Sequence, residues 1–463
     1  MKLEKVLGLS SALCLGAMPL AAQETNQVEQ LKKQLQQLKE NYEKSQQEQR
    51  KQIEALQKQI ETLGQSQTAS PVVESKGWSP SQAITVGRGG SAYMNVSFDA
   101  LMDVGGSTAR DPSAQLQLGD HDPIQRGFSL RNAEIALDGA VDPYFKGFAN
   151  IVFKLEKDQR TEVELEEGYL QSVALPANLQ LKAGQFFANF GRQNPQHPHT
   201  WAFVDQPLVL SRAFGPDGLR NIGGQLSWLL PTPFYTEAFL GVFNGQGGTA
   251  FSFRNPGEDD GTGTNRVHGR ATLGRDLRGP GDLLYAPRIA SSFDLTDQQT
   301  LVVGTSAAFA PNDTGPHNRT EIYGADVYWK WKSPRAMEGF PFVSVQAEAL
   351  YQRYGAGEDG TAGLPAENLR DWGFYVQSLW GFKPRWVAGL RGEFVTGNGG
   401  AFDASDVFRG DRTRISPNMT WYPSEFSKIR LQYNYDHGQL FGDEHSVWMQ
   451  VEFLLGSHAA HKF

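Results

Sequence analysis

From Ala92 onward the apolar side chains recur at every second position, and no window approaches the run of about eighteen apolar residues that a membrane-spanning helix needs. Ile429, Leu431, Tyr433 and Tyr435 share one face of an extended segment, while Lys428, Arg430, Gln432, Asn434 and Asp436 share the other. Ile151, Phe153 and Leu155 likewise oppose Lys146, Asn150 and Lys154. Period-two alternation commits such a chain to strands with one apolar and one polar face.

Sixteen such segments can be placed. They begin near Tyr93, Phe128, Phe145, Thr161, Leu179, Asn221, Phe234, Arg288, Gln299, Thr320, Phe342, Trp372, Trp386, Arg412, Phe426 and Ser446. The connections alternate in length. Short ones such as Val141-Asp142-Pro143-Tyr144, Pro231-Thr232-Pro233 and Lys383-Pro384-Arg385 alternate with mostly longer polar loops, the largest being Asn189 to Arg220 and Gly245 to Tyr285. Trp228, Trp329, Trp331, Trp380, Trp386, Trp421 and Tyr422 all fall within a few residues of a short turn. A soluble sandwich has no reason to crowd tryptophan at one end of its strands, whereas a membrane barrel does so at an interface. The expected fold is therefore all-β: a 16-stranded antiparallel transmembrane β-barrel over residues 91–463. Its 39% hydrophobic content and mean hydropathy of −0.44 fit, because alternate residues face lipid and lumen. One register is awkward: Arg131 has the parity of Ala133, Ile135 and Leu137, so either it lies above the hydrocarbon or a bulge resets the strand.

The residues before the barrel divide further. Lys2 and Lys5, the apolar stretch Val6 to Leu20, and small residues before Gln23 make an export signal over residues 1–22. Cys14, the one cysteine, lies inside it, and Leu13 before it does not fit a lipidation site. The processed chain is expected to have no disulfide and no cysteine-held metal. Residues 26–64 carry Val28, Leu31, Leu35, Leu38 and Tyr42, then Ile53, Leu56, Ile60 and Leu63, at 3,4 spacing broken by a stutter. That pattern suits a short α-helical coiled coil, with a single solvated helix as the alternative. Residues 65–90 read as a linker. A net charge of −8 argues against nucleic acid as a partner. The expected location is the bacterial outer membrane, with lipid around the barrel and the coiled coil in the periplasm. The alternating stretch Val447 to Leu455, followed by the terminal Phe463, is expected to engage the barrel-assembly machinery.

Charged residues were placed by the same parity. The third long loop, Asn189 to Arg220, is expected to narrow a pore, with Arg192, His197, His199, Asp205 and Arg212 at the constriction. The alternatives are an ordinary packed loop or a metal site on His197 and His199; two histidines one residue apart are a weak signal, and no metal is assigned. Inward parity gives a basic wall of Arg391, Arg412, Arg414, Lys428 and Arg430. It also gives an acidic wall of Glu134, Asp138, Glu162, Glu164 and Glu166, with Lys146 and Lys154 between. Opposed walls of this kind make a transverse field for hydrated solutes, unless the charges pair across strands and hold the wall. No phosphate-cradling loop or arranged Ser-His pair is present in the sequence pattern, so no enzyme and no cofactor are expected.

Signal, coiled coil, sixteen strands and the ending Gly456-Ser457-His458-Ala459-Ala460-His461-Lys462-Phe463 together resemble the phosphate-selective porins of the O and P type. The stretch Phe128-Ser129-Leu130-Arg131-Asn132-Ala133-Glu134-Ile135, leading to Asp142-Pro143-Tyr144-Phe145, is also similar to their early barrel. The resemblance implies a homotrimeric, water-filled porin for passive diffusion of small polar or anionic solutes, phosphate-like ones among them. It also implies clustered lysines at the constriction, and the loop Asn189 to Arg220 contains none. The competing classes are a structural or adhesive barrel and a substrate-specific transporter linked to metal uptake.

Overall fold

The structure is a computed structural model that describes residues 83–456, apart from 91, 117–118, 174, 338 and 403–408. The expected signal, the coiled coil, most of the linker and Phe463 lie outside the described residues.

The strands in chain order are β1 (Ile84–Gly89), β2 (Ala92–Ser107), β3 (Gly127–Ala140), β4 (Phe145–Leu155), β5 (Thr161–Ser172), β6 (Leu179–Phe187), β7 (Arg220–Leu229) and β8 (Tyr235–Phe243). Three short loop strands follow: β9 (Glu258–Asp259), β10 (Asn265–Val267) and β11 (Arg270–Ala271). The second half is β12 (Leu284–Thr296), β13 (Gln299–Pro311), β14 (Arg319–Met337), β15 (Phe340–Ala356), β16 (Glu367–Lys383), β17 (Trp386–Gly397), β18 (Arg412–Ser424), β19 (Ser427–Gly438) and β20 (Gly442–Leu455). Two helices sit in loops, α1 (Pro112–Gln115) and α2 (Leu208–Phe214).

Strands β2 to β8 and β12 to β20 each pair antiparallel with their sequence neighbours, and β8 pairs with β12. The circle closes between β2 and β20, from Phe98↔Leu455 to Ser107↔Ser446. The sixteen expected strands are all present. Those that start earlier than expected, β12, β16 and β20, gain residues at their long-loop ends. There the strand runs past the apolar band into water, and the contrast that reveals alternation fades.

Ile84–Gly89, expected as linker, is a strand. Leu455 pairs with Phe98, which leaves the first residues of β2 without a neighbour on that side. Strand β1 fills the gap, pairing Ile84 with Val96 and Gly89 with Ala92. Backbone groups that would form an open edge are thereby hydrogen-bonded.

The outer surface carries the membrane pattern. On β16, Trp372, Phe374 and Val376 are exposed while Asp371, Tyr375 and Gln377 are buried. Trp372 and Trp380 lie at opposite ends of this exposed row. Their spacing along the strand is about 27 Å, or about 20 Å of height at a typical barrel tilt, near the thickness of the apolar band. Trp228, Trp380 and Trp421 are exposed at the short-turn end, where Trp386 stacks on Trp421 at 6.0 Å. Tyr422 does not join that girdle, because it shares the inward parity of Arg412, Arg414 and Thr420. Arg131 is settled by a bulge: the register shifts between Leu101 and Met102, and Arg131 turns in to Asp120 and Glu156. Among the described residues no helix is long and apolar enough to cross a membrane.

Candidate functional site

The chain between β6 and β7, residues 188–219, turns into the barrel and crosses it. Its composition explains the path. Every residue of α2, Leu-Val-Leu-Ser-Arg-Ala-Phe, is buried, and a helix apolar around most of its circumference is stable only inside a core. That core is completed by Phe186 and Phe190 beside the helix and by inward side chains of the wall: Phe243, Leu284, Ala308, Ile322, Leu350, Tyr375 and Val395. Gly324 of β14 leaves room for the Phe190 ring, since a Cβ there would stand 2.6 Å from it. Gly191 takes φ +60° at the turn, with Glu348 against its α-carbon.

The wall also supplies the hydrogen bonds that an inserted, non-regular backbone lacks. Glu348 accepts from the N–H of Arg192 at 3.1 Å and of Gln193 at 2.7 Å. Gln432 accepts from Val204 N–H at 2.8 Å, and Glu393 from Leu208 N–H at 2.7 Å. In the other direction, Lys428 donates to the His199 carbonyl at 2.6 Å, Arg430 to that of Trp201 at 2.8 Å and Asn418 to that of Ala202 at 2.9 Å. From the outer loop 108–126, Asp122 accepts from Gln206 N–H at 3.0 Å.

Asp205 is the ionic centre of the far side. It pairs with Arg391, and with Arg414 at 3.1 Å, and accepts from Gln432 at 2.9 Å and Asn434 at 2.7 Å. Burial alone would raise its carboxyl pKa, but the two guanidinium groups outweigh burial and hold it below the usual range. Arg391 continues to Glu393 at 2.7 Å, Arg414 to Asp436 at 2.7 Å, Arg412 to Asp436 at 3.3 Å, and Lys428 to Glu452.

On the near side, His197 and His199 enter a nest of acids. His197 Nδ1 lies 2.8 Å from Glu166 and its Nε2 lies 2.9 Å from Glu167. His199 Nδ1 lies 2.9 Å from Asp99 and 3.5 Å from Glu134, and the two rings stack at 5.8 Å. His121, from the outer loop, reaches Glu166 at 3.1 Å. Burial opposes charge on His121, yet Glu166 and Asp120 prevail and push its pKa up to about 9.

The expected site residues thus divide. His197, His199, Asp205 and Arg212 are all buried at the inserted loop, Arg212 reaching the carbonyls of Arg409 and Gly410. Arg192 is half-buried, its guanidinium 3.9 Å from the Tyr328 ring. The expected solvated wall is different in kind. Arg391, Arg412, Arg414, Lys428, Arg430, Glu134 and Lys154 are each at most 2% exposed, because the loop and its partner acids replace the water that an open lumen would hold. Lys154 is tied to Asp120 at 2.5 Å and Glu164 at 3.0 Å. Asp138 is half-buried and accepts from Asn95 at 3.0 Å; Lys146 is exposed near the short-turn end.

Two groups lie outside the expected wall sets. Lys330 and Lys332, inward on β14, are half-buried on the short-turn side near Arg192, as is Lys182 against the Tyr169 ring at 3.7 Å. Glu167 was missed because strict alternation puts only Glu166 inside. A register shift between Asn150 and Ile151 turns both into the lumen.

No family model matches the chain. The fold is similar to that of the outer membrane channel DcaP of Acinetobacter baumannii, with a TM-score of 0.52 at 13% identity over 79% of this chain and 98% of that one. Other similar structures are the trimer form of OmpT from Vibrio cholerae (TM-score 0.47, 7% identity, 79% and 100% covered) and Salmonella typhi OmpF in complex with daunomycin (0.42, 10%, 79% and 98%). The fold shared with the DcaP channel is the closed antiparallel β-barrel. An uncharacterized protein of Aquifex aeolicus (strain VF5) is 32% identical over 365 residues, 73% of this chain and 71% of its own length. At that identity and coverage, the chain belongs to the family of the Aquifex aeolicus protein.

Proposed function

We propose that the protein is an outer-membrane channel of the porin class, closed at mid-height by its β6–β7 loop and opened when that loop moves. The observation behind this reading is the way the loop is held. It is joined to the wall by side-chain hydrogen bonds and ion pairs, centred on Asp205, and contributes no strand to the barrel. Such a segment can leave the lumen without breaking any of the sixteen strand pairings. The shared fold with a channel, DcaP, supports the same reading.

The solutes proposed are small, polar and anionic, phosphate-like ones included. Arg192, Lys330 and Lys332 form a half-exposed cationic vestibule on the short-turn side of the loop. These cations would attract an anion in the short-turn half of the lumen, beside the loop. A homotrimer is part of the proposal. The predicted coiled coil supports it, as does an outward patch where Ala149, Gly168 and Ala183 lie beside Leu137 and Leu170 and would allow close approach of a second barrel.

Reversal potential under a salt gradient tests the selectivity. Anion preference that falls when Lys330 and Lys332 are changed to Gln supports the vestibule. Cation preference in the unaltered protein rejects it. A structural barrel is the second reading, favoured by the burial of every cation on the β17–β19 wall. It predicts no conductance in any loop variant.

A further inference from the structure

We propose that His197 and His199 of the inserted loop, with Glu134, Asp99 and Glu166 of the wall, form a binding site for a divalent transition-metal ion of the zinc type. The first observation is convergence. Two sets of three ligand atoms, Asp99–Glu134–His199 and Glu134–Glu166–His197, are each gathered within 4.8 Å and share Glu134. Both histidines present Nδ1 to the same Glu134 oxygen, at 3.5 Å from His199 and 3.9 Å from His197.

The separations suit a metal. Bonds of about 2.0–2.2 Å in a tetrahedral site place ligand atoms about 3.3–3.6 Å apart. Here they are 2.8 Å (His197–Glu166), 2.9 Å (His199–Asp99), 3.5 Å and 3.9 Å, so shifts of a few tenths of an ångström bring them into range. One imidazole and two carboxylates in each set are ligands that zinc, iron or manganese accepts.

Charge is the second observation. Asp99, Glu134, Glu166 and Glu167 are four acids at 6% exposure or less, with Lys182 3.7 Å from Glu167 and His121 3.1 Å from Glu166 beside them. Buried like charges at this spacing require cations between them.

A third observation is independent of both. Asn132 and Asn150, fully buried, spend their amide N–H groups on this cluster: Asn132 on Asp99 and Glu134, Asn150 on Glu134 and Glu166. The ring nitrogen Nδ1 of His197, 2.8 Å from Glu166, also lies 3.1 Å from the Asn150 amide nitrogen. The Oδ1 atoms of both asparagines accept no hydrogen bond. The arrangement is that of ligands oriented by outer partners. The competing account is a set of imidazolium–carboxylate pairs with no metal.

Metal binding here joins the loop to strands β2, β3 and β5, so an ion would pin the loop at a second point besides Asp205. The inference concerns binding and stands whether or not the barrel conducts. Its test uses the purified full chain, loaded with zinc chloride, dialysed and assayed for bound metal, and separately titrated with cobalt(II). The expected result is stoichiometric zinc and a visible cobalt band of low-symmetry N/O coordination. Both should disappear in the His197→Ala/His199→Ala variant, while heat-modifiable gel mobility reports that the barrel is folded. Should that variant not fold, Glu134→Gln keeps the shape of the site, removes its shared carboxylate and should weaken zinc by roughly tenfold or more. Unaltered protein that binds no zinc, or variants that retain it in full, would overturn the proposal.

Discussion

Asp205 of the inserted loop and Arg414 of β18, 209 residues apart in sequence, meet at 3.1 Å across the barrel. Arg391 grips the other oxygen of the same carboxylate, so two wall cations share one loop side chain. This contact decides what the predicted basic wall does. Its cations are directed at the loop and its neighbouring acids, leaving little of their field for passing solutes.

Removing the acid should therefore cost more than an ordinary ion pair. Asp205→Ala leaves Arg391 and Arg414 buried with one partner fewer, which typically costs about 3–5 kcal/mol. The loss should appear as lower loop stability, read by protease cleavage between Gln193 and Asp217 while the barrel stays intact. Asp205→Asn keeps the shape and should fall between the two.

Acid should act on the same clamp. The folded-state pKa of Asp205 is depressed, so its stabilisation is complete above the unfolded value of about 3.9 and is lost as pH falls through the folded value. Loop protection measured at pH 6 and again below pH 3 should decrease on acidification. The decrease should be smaller in Asp205→Asn, where only the other loop-holding acids, such as Glu348 and Glu393, are left to protonate.

Glu348 holds the start of the loop through two backbone N–H groups. Glu348→Ala strands both donors, at about 1–3 kcal/mol each. Amide hydrogen exchange at Arg192 and Gln193 should accelerate, while strand amides of β15 and β16 keep their protection. Equal acceleration in both places would mean that Glu348 serves the wall and not the loop.

Gly324 is a packing prediction. A Cβ there would lie 2.6 Å from the Phe190 ring, so Gly324→Leu overfills the apolar half of the lumen. A cost of about 1–3 kcal/mol is expected, with the helix Leu208–Phe214 displaced. Phe190→Ala in the same chain should recover part of it.

Much of the barrel was legible because its grammar is local. Period two, turn length and tryptophan position are each visible within a dozen residues, and they located all sixteen strands. The inward sets Arg391, Arg412, Arg414, Lys428 and Arg430, and Glu134 with Glu166, followed from the same parity. What parity cannot carry is the content of the lumen. Whether Arg414 meets water or Asp205 depends on a loop two hundred residues away. Bulges defeat parity too: Arg131 and Glu167 both turn inward where the register slips by one. The helix Leu208–Phe214 did carry a signal, since a loop exposed to water would not hold Leu-Val-Leu followed by Ala-Phe.

The central claim is that the β6–β7 loop closes the barrel. Single-channel conductance in planar bilayers tests it directly, comparing the unaltered protein with one in which residues 196–217 are replaced by a short Gly-Ser link. The account predicts a mostly closed protein with occasional openings, and steady, larger conductance once the loop is gone. Equal, steady conductance in both, or silence in both, would contradict it.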